Sequence, residues 1–429
     1  MKIKDLIKTA SADSQNHYGS TQIGSQTESR KRNGVMETIN IKSLIISFIL
    51  CILFLFSCTS KKGIIAEHTT NTVVNDKDSL YTEIQKIGLE YTQKSNVPGL
   101  AVAVIKNGKV AWIQCIGLAD VERKKHVTSR TIFNVGSVSK LVASWGFMQL
   151  TENGLIKLDD PVNQYLTRWK LPESVFDNSK VTLRRMLSHT AGLSVHGYGG
   201  SEQGTKLLSL EESLSGKTKR NKESVSVIME PGTQWKYSGG GYTLAQLLLE
   251  ERTQENFAEY MKNKVFKPLG MNDSNYEWTE EMKANSATAY DTLRKPIKNR
   301  IFTEQAAAGL QTTILDLSHF AELSITADPK DLNKVLKAET IRLMEQPIQP
   351  ASEHGQSGLG YRFFNFEGLP TVGHTGENDG WCASLFLHMP TKSGLVILCN
   401  GSSWINNPRD PIYNAWAKAV LKSMDSSSL

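Results

Sequence analysis

Cysteine is scarce in this chain, and histidine does not occur in metal-binding patterns. The 429 residues include five cysteines and nine histidines. The cysteines are too sparsely spaced to indicate a disulfide framework or a Cys-x-x-Cys metal pair, and no His-Glu-x-x-His motif is present. We therefore expect neither a metal ion nor another cofactor. The pattern disfavours a metal-dependent hydrolase.

The chain also lacks a strong excess of charge of one sign. Its formal net charge is +6, and residues 1–57 account for half of that value. A nucleic-acid-binding surface requires clustered Lys and Arg side chains, and no basic stripe with interleaved aromatic residues is present. The composition, with 39% hydrophobic and 21% charged residues, is typical of a globular protein with room for one large domain or two.

Two polar segments near the N-terminus show no apolar periodicity. We expect residues 1–35 to be disordered, or untranslated if synthesis begins at Met36. Residues 58–78 are rich in Thr, Asn and Lys, a composition that predicts a flexible tether.

Between these polar segments lies an export signal. Lys42 provides a positive charge, and the run 44–56 is almost entirely apolar. The run leads into Leu-Phe-Ser-Cys at 55–58, which resembles a bacterial lipobox. The pattern predicts a lipoprotein signal peptide over 36–57 and lipidation of Cys58, which would place the protein in a bacterial cell envelope, facing the periplasm or the exterior.

A transmembrane anchor is the alternative for this apolar segment. Residues 43–60 are free of charge, and their length is close to the minimum for a membrane span. The strongly apolar part is shorter than that and ends at a small residue before Cys58. This length favours the lipoprotein signal.

The remaining chain, 79–425, is predicted to form one α+β domain. Asn107-Gly108 between two β-rich runs is a strong hairpin signal, and the C-terminal third contains further strands before a final helix. Helical spacing dominates the middle. We expect an antiparallel β-sheet flanked by helices, with an all-helical subdomain at about 145–300.

The sequence Ser137-Val138-Ser139-Lys140 precedes an apolar helical stretch. Residues three apart lie on one face of a helix, so the Ser137 hydroxyl and the Lys140 amine can meet. Burial favours a neutral amine, which can act as a base, and a helix N-terminus offers N–H groups to an oxyanion. Alone, the pattern also fits a capping serine followed by a surface lysine.

Two other polar sites are interpreted as structural. Asp159 and Asp160 stand directly before Pro161, where paired carboxylates indicate the start of a helix more than acid–base chemistry. His189 lies beside a Thr-Ala-Gly turn, a setting typical of a hydrogen-bonded structural histidine. The long Gly/Ser/Lys-rich segment 196–230 is predicted to be a loop that borders a functional site.

Three motifs together resemble a known family. Ser137–Lys140, Tyr237-Ser238-Gly239 and His374-Thr375-Gly376 are similar, in order and spacing, to the motifs of the serine β-lactamase and penicillin-binding-protein superfamily. The closest resemblance is to its class C-like branch, which includes class C β-lactamases, DD-peptidases, esterases and D-amino-acid peptidases. The resemblance extends from about Leu80 to the C-terminus.

The resemblance implies acyl transfer through a covalent ester of Ser137. Lys140 and Tyr237 would share the proton transfers as a coupled pair, and which of them takes the Ser137 proton stays open. The backbone N–H groups of Ser137 and Glu377 would form the oxyanion hole. Thr375 and Gly376 would line the approach of the substrate, because a side chain at Gly376 would obstruct it.

Two positions depart from the β-lactamase pattern. Gly239 stands where those enzymes carry an asparagine, so the amide that would hold a substrate carbonyl is missing. His374 stands where they carry lysine, and histidine at that position recurs in DD-peptidase-like members. We expect His374 to orient the site, or to bind a substrate carboxylate when protonated.

The expected function is therefore a secreted, membrane-anchored serine hydrolase that cleaves an amide, a peptide or an ester of small-molecule or peptide size. The alternatives are a DD-peptidase or carboxypeptidase acting on cell-wall peptides, a weak β-lactamase, and a non-catalytic lipoprotein that binds penicillin or peptidoglycan. No nucleic-acid partner is expected. The oligomeric state stays open.

Overall fold

The computed structural model describes residues 79–352, 355–402 and 407–427. The expectations for 1–35, for the signal peptide over 36–57 and for the tether with Cys58 lie outside these residues. Within the described ranges, no helix combines the length and the apolar character that crossing a membrane requires.

The described residues build a large antiparallel sheet. It has nine strands within those ranges, in the spatial order β10-β11-β12-β13-β14-β15-β1-β2-β3. Their bounds are β1 (Gly99–Lys106), β2 (Lys109–Asp120), β3 (Lys125–His126), β10 (Ile348–Ser352), β11 (Gly355–Ser357), β12 (Arg362–Phe366), β13 (Leu369–Asn378), β14 (Trp381–His388) and β15 (Ser393–Cys399).

Shorter strand pairs lie outside this sheet, in the middle of the chain. They join β4 with β9, β5 with β8, and β6 with β7. Their bounds are β4 (Phe133–Asn134), β5 (Ser201–Glu202), β6 (Ala289–Tyr290), β7 (Pro296–Ile297), β8 (Arg300–Ile301) and β9 (Gln311–Thr312).

Helices cover both faces of the sheet and fill the middle of the chain. They are α1 (Ser79–Lys94), α2 (Val138–Glu152), α3 (Leu183–Leu187), α4 (Leu210–Leu214), α5 (Gly239–Thr253), α6 (Phe257–Met261), α7 (Glu280–Asn285), α8 (Gln305–Ala308), α9 (Ile314–Thr326), α10 (Ala338–Met344) and α11 (Arg409–Ser427). The predicted α+β class, an antiparallel sheet with flanking helices, is confirmed.

The β1–β2 hairpin forms where the sequence predicts it. Asn107 has a φ of 52° and Gly108 a φ of 76°. A two-residue turn with both φ values positive matches the right-handed twist of the paired strands, and Asn-Gly is the dipeptide that adopts it most readily. The strand signal and the turn signal therefore agree.

β1 lies inside the sheet and is buried on both faces. Leu100, Val102 and Val104 belong to the apolar cluster beneath α1 and α11. Ala101 and Ala103 point the other way, into the cluster that includes α2 and α9. Because both faces are covered, the strand is a continuous apolar run instead of an alternating one.

The segment of about 145–300 contains the 15-residue helix α5 together with shorter helices, short strand pairs and loops. The prediction of an all-helical subdomain is therefore wrong, because parts of its connections pair as two-residue strands. The apolar side chains of this segment, such as Leu248 and Phe257, belong to the same cluster as Ala101 and Leu385 of the sheet. This shared core fixes the position of α5 against α2, and both helices begin at the candidate site.

The paired aspartates have structural roles, as predicted, but neither caps the short helical turn at 162–164. Asp159 forms a two-pronged ion pair with Arg184, at 2.6 and 2.7 Å. Asp160 accepts from the Tyr165 hydroxyl at 2.6 Å. The carboxylates bind Arg184 and Tyr165 instead of capping the turn, and the ion pair of Asp159 with Arg184 ties this segment to α3.

Candidate active site

Ser137 stands immediately before α2, with φ −68° and ψ −8°. Its side chain makes no capping hydrogen bond, so the hydroxyl remains available. Lys140 is buried, at 1% exposure, and its Nζ lies 3.0 Å from Ser137 Oγ and 2.6 Å from the carbonyl oxygen of Ala307. These contacts exclude the alternative of a capping serine followed by a surface lysine.

Burial changes the acid–base properties of Lys140. Desolvation is the main cause that lowers its pKa to about 7, and the nearby Arg362 guanidinium acts in the same direction. An amine with this pKa has a substantial neutral fraction at neutral pH. The lysine is therefore suited to accept a proton from Ser137.

Tyr237 lies over the same pair from the segment that precedes α5. The Lys140 Nζ is 5.1 Å from the centroid of its ring. Burial raises the pKa of Tyr237 to about 12, and the Ser137 side chain and Arg362 oppose that rise. The buried hydroxyl has no partner in hydrogen-bond geometry among the described residues. This environment favours a neutral phenol over a phenolate.

His189 supports the Tyr237 ring from behind. The two rings are 4.2 Å apart at an angle of 33°. His189 Nδ1 accepts a hydrogen bond from the Ser238 N–H at 3.1 Å, and burial holds its pKa well below the usual range. His189 is thus a neutral, hydrogen-bonded residue, which agrees with its structural interpretation.

β13 presents an open edge beside Ser137. Its pairing with β12 ends at Arg362 opposite Gly373, whereas its pairing with β14 continues to Asn378. From His374 to Asn378 the other edge therefore has no strand neighbour among the described residues. An open edge of this kind can pair with the extended backbone of a peptide-like ligand.

Two glycines bring this edge against the Ser137 turn. A Cβ built on Gly376 would collide with the carbonyl oxygen of Val135 and lie 2.7 Å from Ser137 N. A Cβ on Gly136 would lie 2.5 Å from Glu377 N. Gly376 is therefore required by the contact with the Ser137 turn itself, which differs from the sequence-based expectation of a clear path for the substrate.

Asparagine side chains fasten this contact. Asn378 Nδ2 donates to Asn134 Oδ1 at 2.5 Å and to the Ala308 carbonyl at 3.0 Å. Asn134 Oδ1 also accepts from the Gly136 N–H at 3.0 Å. The end of β13, the Ser137 turn and α8 are thereby held in one arrangement.

His374 does not reach the cleft. It is 1% exposed, and its Nδ1 lies 2.6 Å from the Thr375 carbonyl oxygen. Burial holds its pKa well below the usual range, and Arg362 and Lys140 act in the same direction. The expectation that a protonated His374 binds a carboxylate is therefore wrong, because burial keeps the imidazole neutral and the residue does not line the cleft. That His374 orients the site stays a prediction.

Arg362 is the cation that the sequence analysis missed. Its guanidinium carbon lies 5.6 Å from the Tyr237 ring centroid and 5.4 Å from that of Trp235. Its Nε is buried without a hydrogen-bond partner, and no carboxylate pairs with it among the described residues. The available signal was a lone cation in the aromatic strand Tyr361-Arg362-Phe363-Phe364.

These elements enclose a cleft of about 1010 Å³. Its lining includes six of the predicted site residues, namely Ser137, Lys140, Tyr237, Thr375, Gly376 and Glu377. The segment 196–230, which contains β5 and α4 besides the predicted loop, borders the cleft through residues 196–199. Its Arg220 pairs at 2.6 Å with Asp379 of the cleft lining. Burial raises the pKa of Glu377 to about 7, opposed by Arg409.

Comparison with known proteins identifies the family. The family model described as Beta-lactamase matches residues 84–419. The chain belongs to this family, whose members are generally serine hydrolases, and the resemblance inferred from the three motifs is confirmed.

Individual relatives are distant. Protein flp of Staphylococcus aureus (strain N315) is 24% identical over 334 residues, which cover 75% of this chain and 63% of flp. The match thus spans less than two thirds of that relative. A protein of Pseudomonas fluorescens named Beta-lactamase is 30% identical over 57% of this chain and 64% of its own length.

Solved structures show the same fold. The octameric penicillin-binding protein homologue from Pyrococcus abyssi superposes with a TM-score of 0.66 at 26% identity, covering 80% of this chain and 77% of the homologue. The beta-lactamase/D-alanine carboxypeptidase from Pseudomonas syringae has a TM-score of 0.64 at 19% identity, covering 78% of this chain and 98% of that protein.

Proposed function

We propose that this chain is a secreted, membrane-anchored serine hydrolase that cleaves an amide, peptide or ester bond through an acyl-enzyme on Ser137. The observation that carries the proposal is the 3.0 Å separation between Ser137 Oγ and the Nζ of a buried lysine with a pKa of about 7. A capping serine and a solvated lysine would have no reason to meet in this way.

In the acylation step, neutral Lys140 takes the proton of Ser137 while Oγ attacks the substrate carbonyl. The oxyanion then lies near the backbone N–H groups of Ser137 and Glu377, which the close approach of Gly136 to Glu377 and of Gly376 to the Ser137 turn brings together. The N-terminus of α2 adds its partial positive charge at the same place. The oxyanion hole is the one that the resemblance implies, whereas the choice of Lys140 as the base is supported by its lowered pKa.

Tyr237 is suited to the second proton transfer. Its raised pKa keeps the phenol protonated, so it can donate to the leaving group as the tetrahedral intermediate collapses. The resulting phenolate recovers a proton from the Lys140 ammonium, which resets the pair. A water molecule then hydrolyses the ester, and the serine is released.

The charges of the cleft favour a substrate with an anionic group. Arg362 and Lys236 line the cleft, and neither has a carboxylate partner among the described residues. A half-buried guanidinium without a counter-ion, such as that of Arg362, can bind a carboxylate through charge-assisted hydrogen bonds. The leaving portion of the substrate is therefore proposed to carry a carboxylate close to the scissile bond.

This feature favours a carboxypeptidase as a second candidate. A peptide with a free C-terminus presents a carboxylate next to its last amide bond, and the Pseudomonas syringae relative is described as a D-alanine carboxypeptidase. The same open edge of β13 would pair with the peptide backbone. An esterase acting on neutral substrates has no need of Arg362.

The test is incubation of the purified protein with three compounds: a chromogenic ester, a peptide ending in D-Ala-D-Ala, and a chromogenic cephalosporin. Turnover and intact mass are followed together, with Ser137→Ala as the control. A serine hydrolase turns over the ester or the peptide and gains acyl mass only when Ser137 is present. Labelling without turnover would support a non-catalytic binder, and unchanged turnover by Ser137→Ala would overturn the proposal.

Anchoring is tested separately through Cys58. We propose that lipidation of Cys58 holds the protein on the membrane, since the signal ends at this residue. Cys58→Ala should then move the protein from the membrane fraction to the soluble fraction of the cell envelope, with Cys115→Ala as the control. Continued membrane association of Cys58→Ala would favour the transmembrane alternative.

A further inference from the structure

A strained turn leads into the segment 196–230, and it begins at Val195. Val195 has a φ of +59°, a conformation that is unfavourable for a β-branched side chain. The carbonyl oxygen of Val195 accepts from the Gly240 N–H at 3.0 Å and from the Ser238 hydroxyl at 3.3 Å. Such strain persists only where the surroundings impose it, and it concentrates at functional sites.

The turn delivers His196 to the cleft. The His196 side chain is exposed and lines the cleft, and its ring lies 5.0 Å from the Tyr237 ring at an angle of 43°. The ring nitrogens of His196 have no hydrogen-bond partner among the described residues. Desolvation lowers the pKa of His196, as do Lys140, Lys236 and Arg362, so the ring is neutral at pH 7 and can donate or accept.

The backbone of the same turn fills the space beside Gly239, the first residue of α5. The Gly239 N–H donates to the His196 carbonyl at 3.0 Å. A Cβ built on Gly239 would lie 3.0 Å from that oxygen and 3.3 Å from the Gly197 Cα. On this wall of the cleft, His196 is therefore positioned to supply the polar group that Gly239 cannot.

We infer that His196 is a specificity-determining residue that hydrogen-bonds a carbonyl oxygen in the acyl portion of the substrate, the part that stays on Ser137. This inference rests on the proposed function. In the proposed function, Arg362 binds the anionic leaving portion of the substrate. His196 is therefore assigned to the acyl portion. A neutral imidazole matches a neutral amide carbonyl, and the favoured substrates are then acyl donors that carry an amide near the scissile bond, as N-acylated amino acids and peptides do.

The experiment compares two esters with one leaving group: 4-nitrophenyl butyrate, which has no acceptor in its acyl chain, and the 4-nitrophenyl ester of N-acetylglycine, which has an amide carbonyl. His196→Ala should lower kcat/KM for the N-acetylglycine ester about tenfold or more and change that for the butyrate less than twofold. His196→Gln, which keeps a donor, should recover part of the loss. His126→Ala, at an exposed histidine of β3 outside the cleft lining, is the control.

The outcomes separate the inference from the function on which it rests. If the wild-type protein hydrolyses neither ester and Ser137 gains no acyl mass, the proposed function fails, and the inference fails with it. If both esters are hydrolysed and His196→Ala affects them equally or not at all, the inference alone is overturned. Should His196→Ala lose its native melting transition, His196→Phe, which keeps a ring without nitrogens, replaces it.

Discussion

Gly376 of β13 packs directly against the backbone of Ser137, with 2.7 Å between Ser137 N and the position that a Cβ on Gly376 would occupy. Such a distance leaves no room for a side chain. The contact joins the strand that borders the cleft to the helix that carries the serine. It therefore determines whether the N–H groups of Ser137 and Glu377 can act on one oxygen atom.

Replacing Gly376 by alanine should therefore abolish acylation. The added methyl group must push β13 away from the Ser137 turn and separate the two N–H groups, and loss of one such donor typically costs about 10²–10³ in kcat. The measurement is the rate at which Ser137 gains acyl mass. Gly154→Ala is the control: Gly154 has a φ of +69°, and no atom lies within 4 Å of its Cβ position, so the variant should lose some stability without losing acylation. Acylation by Gly376→Ala at the wild-type rate would contradict the geometry.

The pH dependence of the reaction should follow Lys140. With a pKa of about 7, the amine is protonated below that pH and cannot take the Ser137 proton. We expect kcat/KM for a neutral ester to fall about tenfold per pH unit below pH 7 and to reach a plateau above it. Because the pKa of Tyr237 is about 12, no alkaline decline from that residue should appear below pH 10. A profile that is flat from pH 5 to 9 would exclude Lys140 as the base.

The serine–lysine pair was predictable because it is local. Three residues along one helix fix the distance between Ser137 and Lys140, and an Asn-Gly pair fixes the β1–β2 turn. The Ala307 carbonyl that accepts from Lys140 comes from 167 residues further along the chain. Neither periodicity nor composition reports such a contact.

The roles along β13 and β12 were less accessible from sequence. The resemblance of its motif to a substrate-binding lysine motif predicts that His374 orients the site or binds a carboxylate, but a strand has two faces and the pattern does not show which one is open. The structure buries His374 and brings Arg362 from the neighbouring strand into the cleft. The backbone strain at Val195 could not be predicted either, because composition does not indicate a residue's φ angle.

Tyr237→Phe tests the second proton transfer. Removing the hydroxyl leaves the ring packed against His189 while the proton donor for the leaving group is lost. The expected loss in kcat is about 10²–10⁴ for an amide substrate, and it should be smaller for a 4-nitrophenyl ester, whose leaving group needs no proton. Tyr198→Phe, at another tyrosine of the cleft lining, is the control. Equal losses for the amide and the ester would assign Tyr237 a positioning role instead.

Arg362→Met should affect substrates according to their charge. A charge-assisted hydrogen bond contributes about 1.5–3 kcal/mol, so kcat/KM for a peptide with a free C-terminal carboxylate should fall about 10- to 100-fold. The corresponding C-terminal amide should lose much less. Because Arg362 also lowers the pKa of Lys140, the midpoint of the pH profile should rise in the variant. Equal effects on acid and amide peptides, with an unmoved midpoint, would remove Arg362 from substrate binding.

Gly239→Asn tests whether the departure from the β-lactamase pattern can be reversed by one residue. The asparagine would restore the missing amide, but its Cβ would lie 3.0 Å from the His196 carbonyl oxygen and 3.3 Å from the Gly197 Cα. The turn held by Val195 would have to move by a few tenths of an ångström before the amide could face the cleft. We therefore expect no gain in turnover of a chromogenic cephalosporin by Gly239→Asn, together with a lower melting temperature. Combining it with Val195→Gly, which relieves the backbone strain at the start of the turn, should restore part of the melting temperature. A single variant that hydrolyses the cephalosporin efficiently at wild-type stability would show that the turn does not restrict this wall of the cleft.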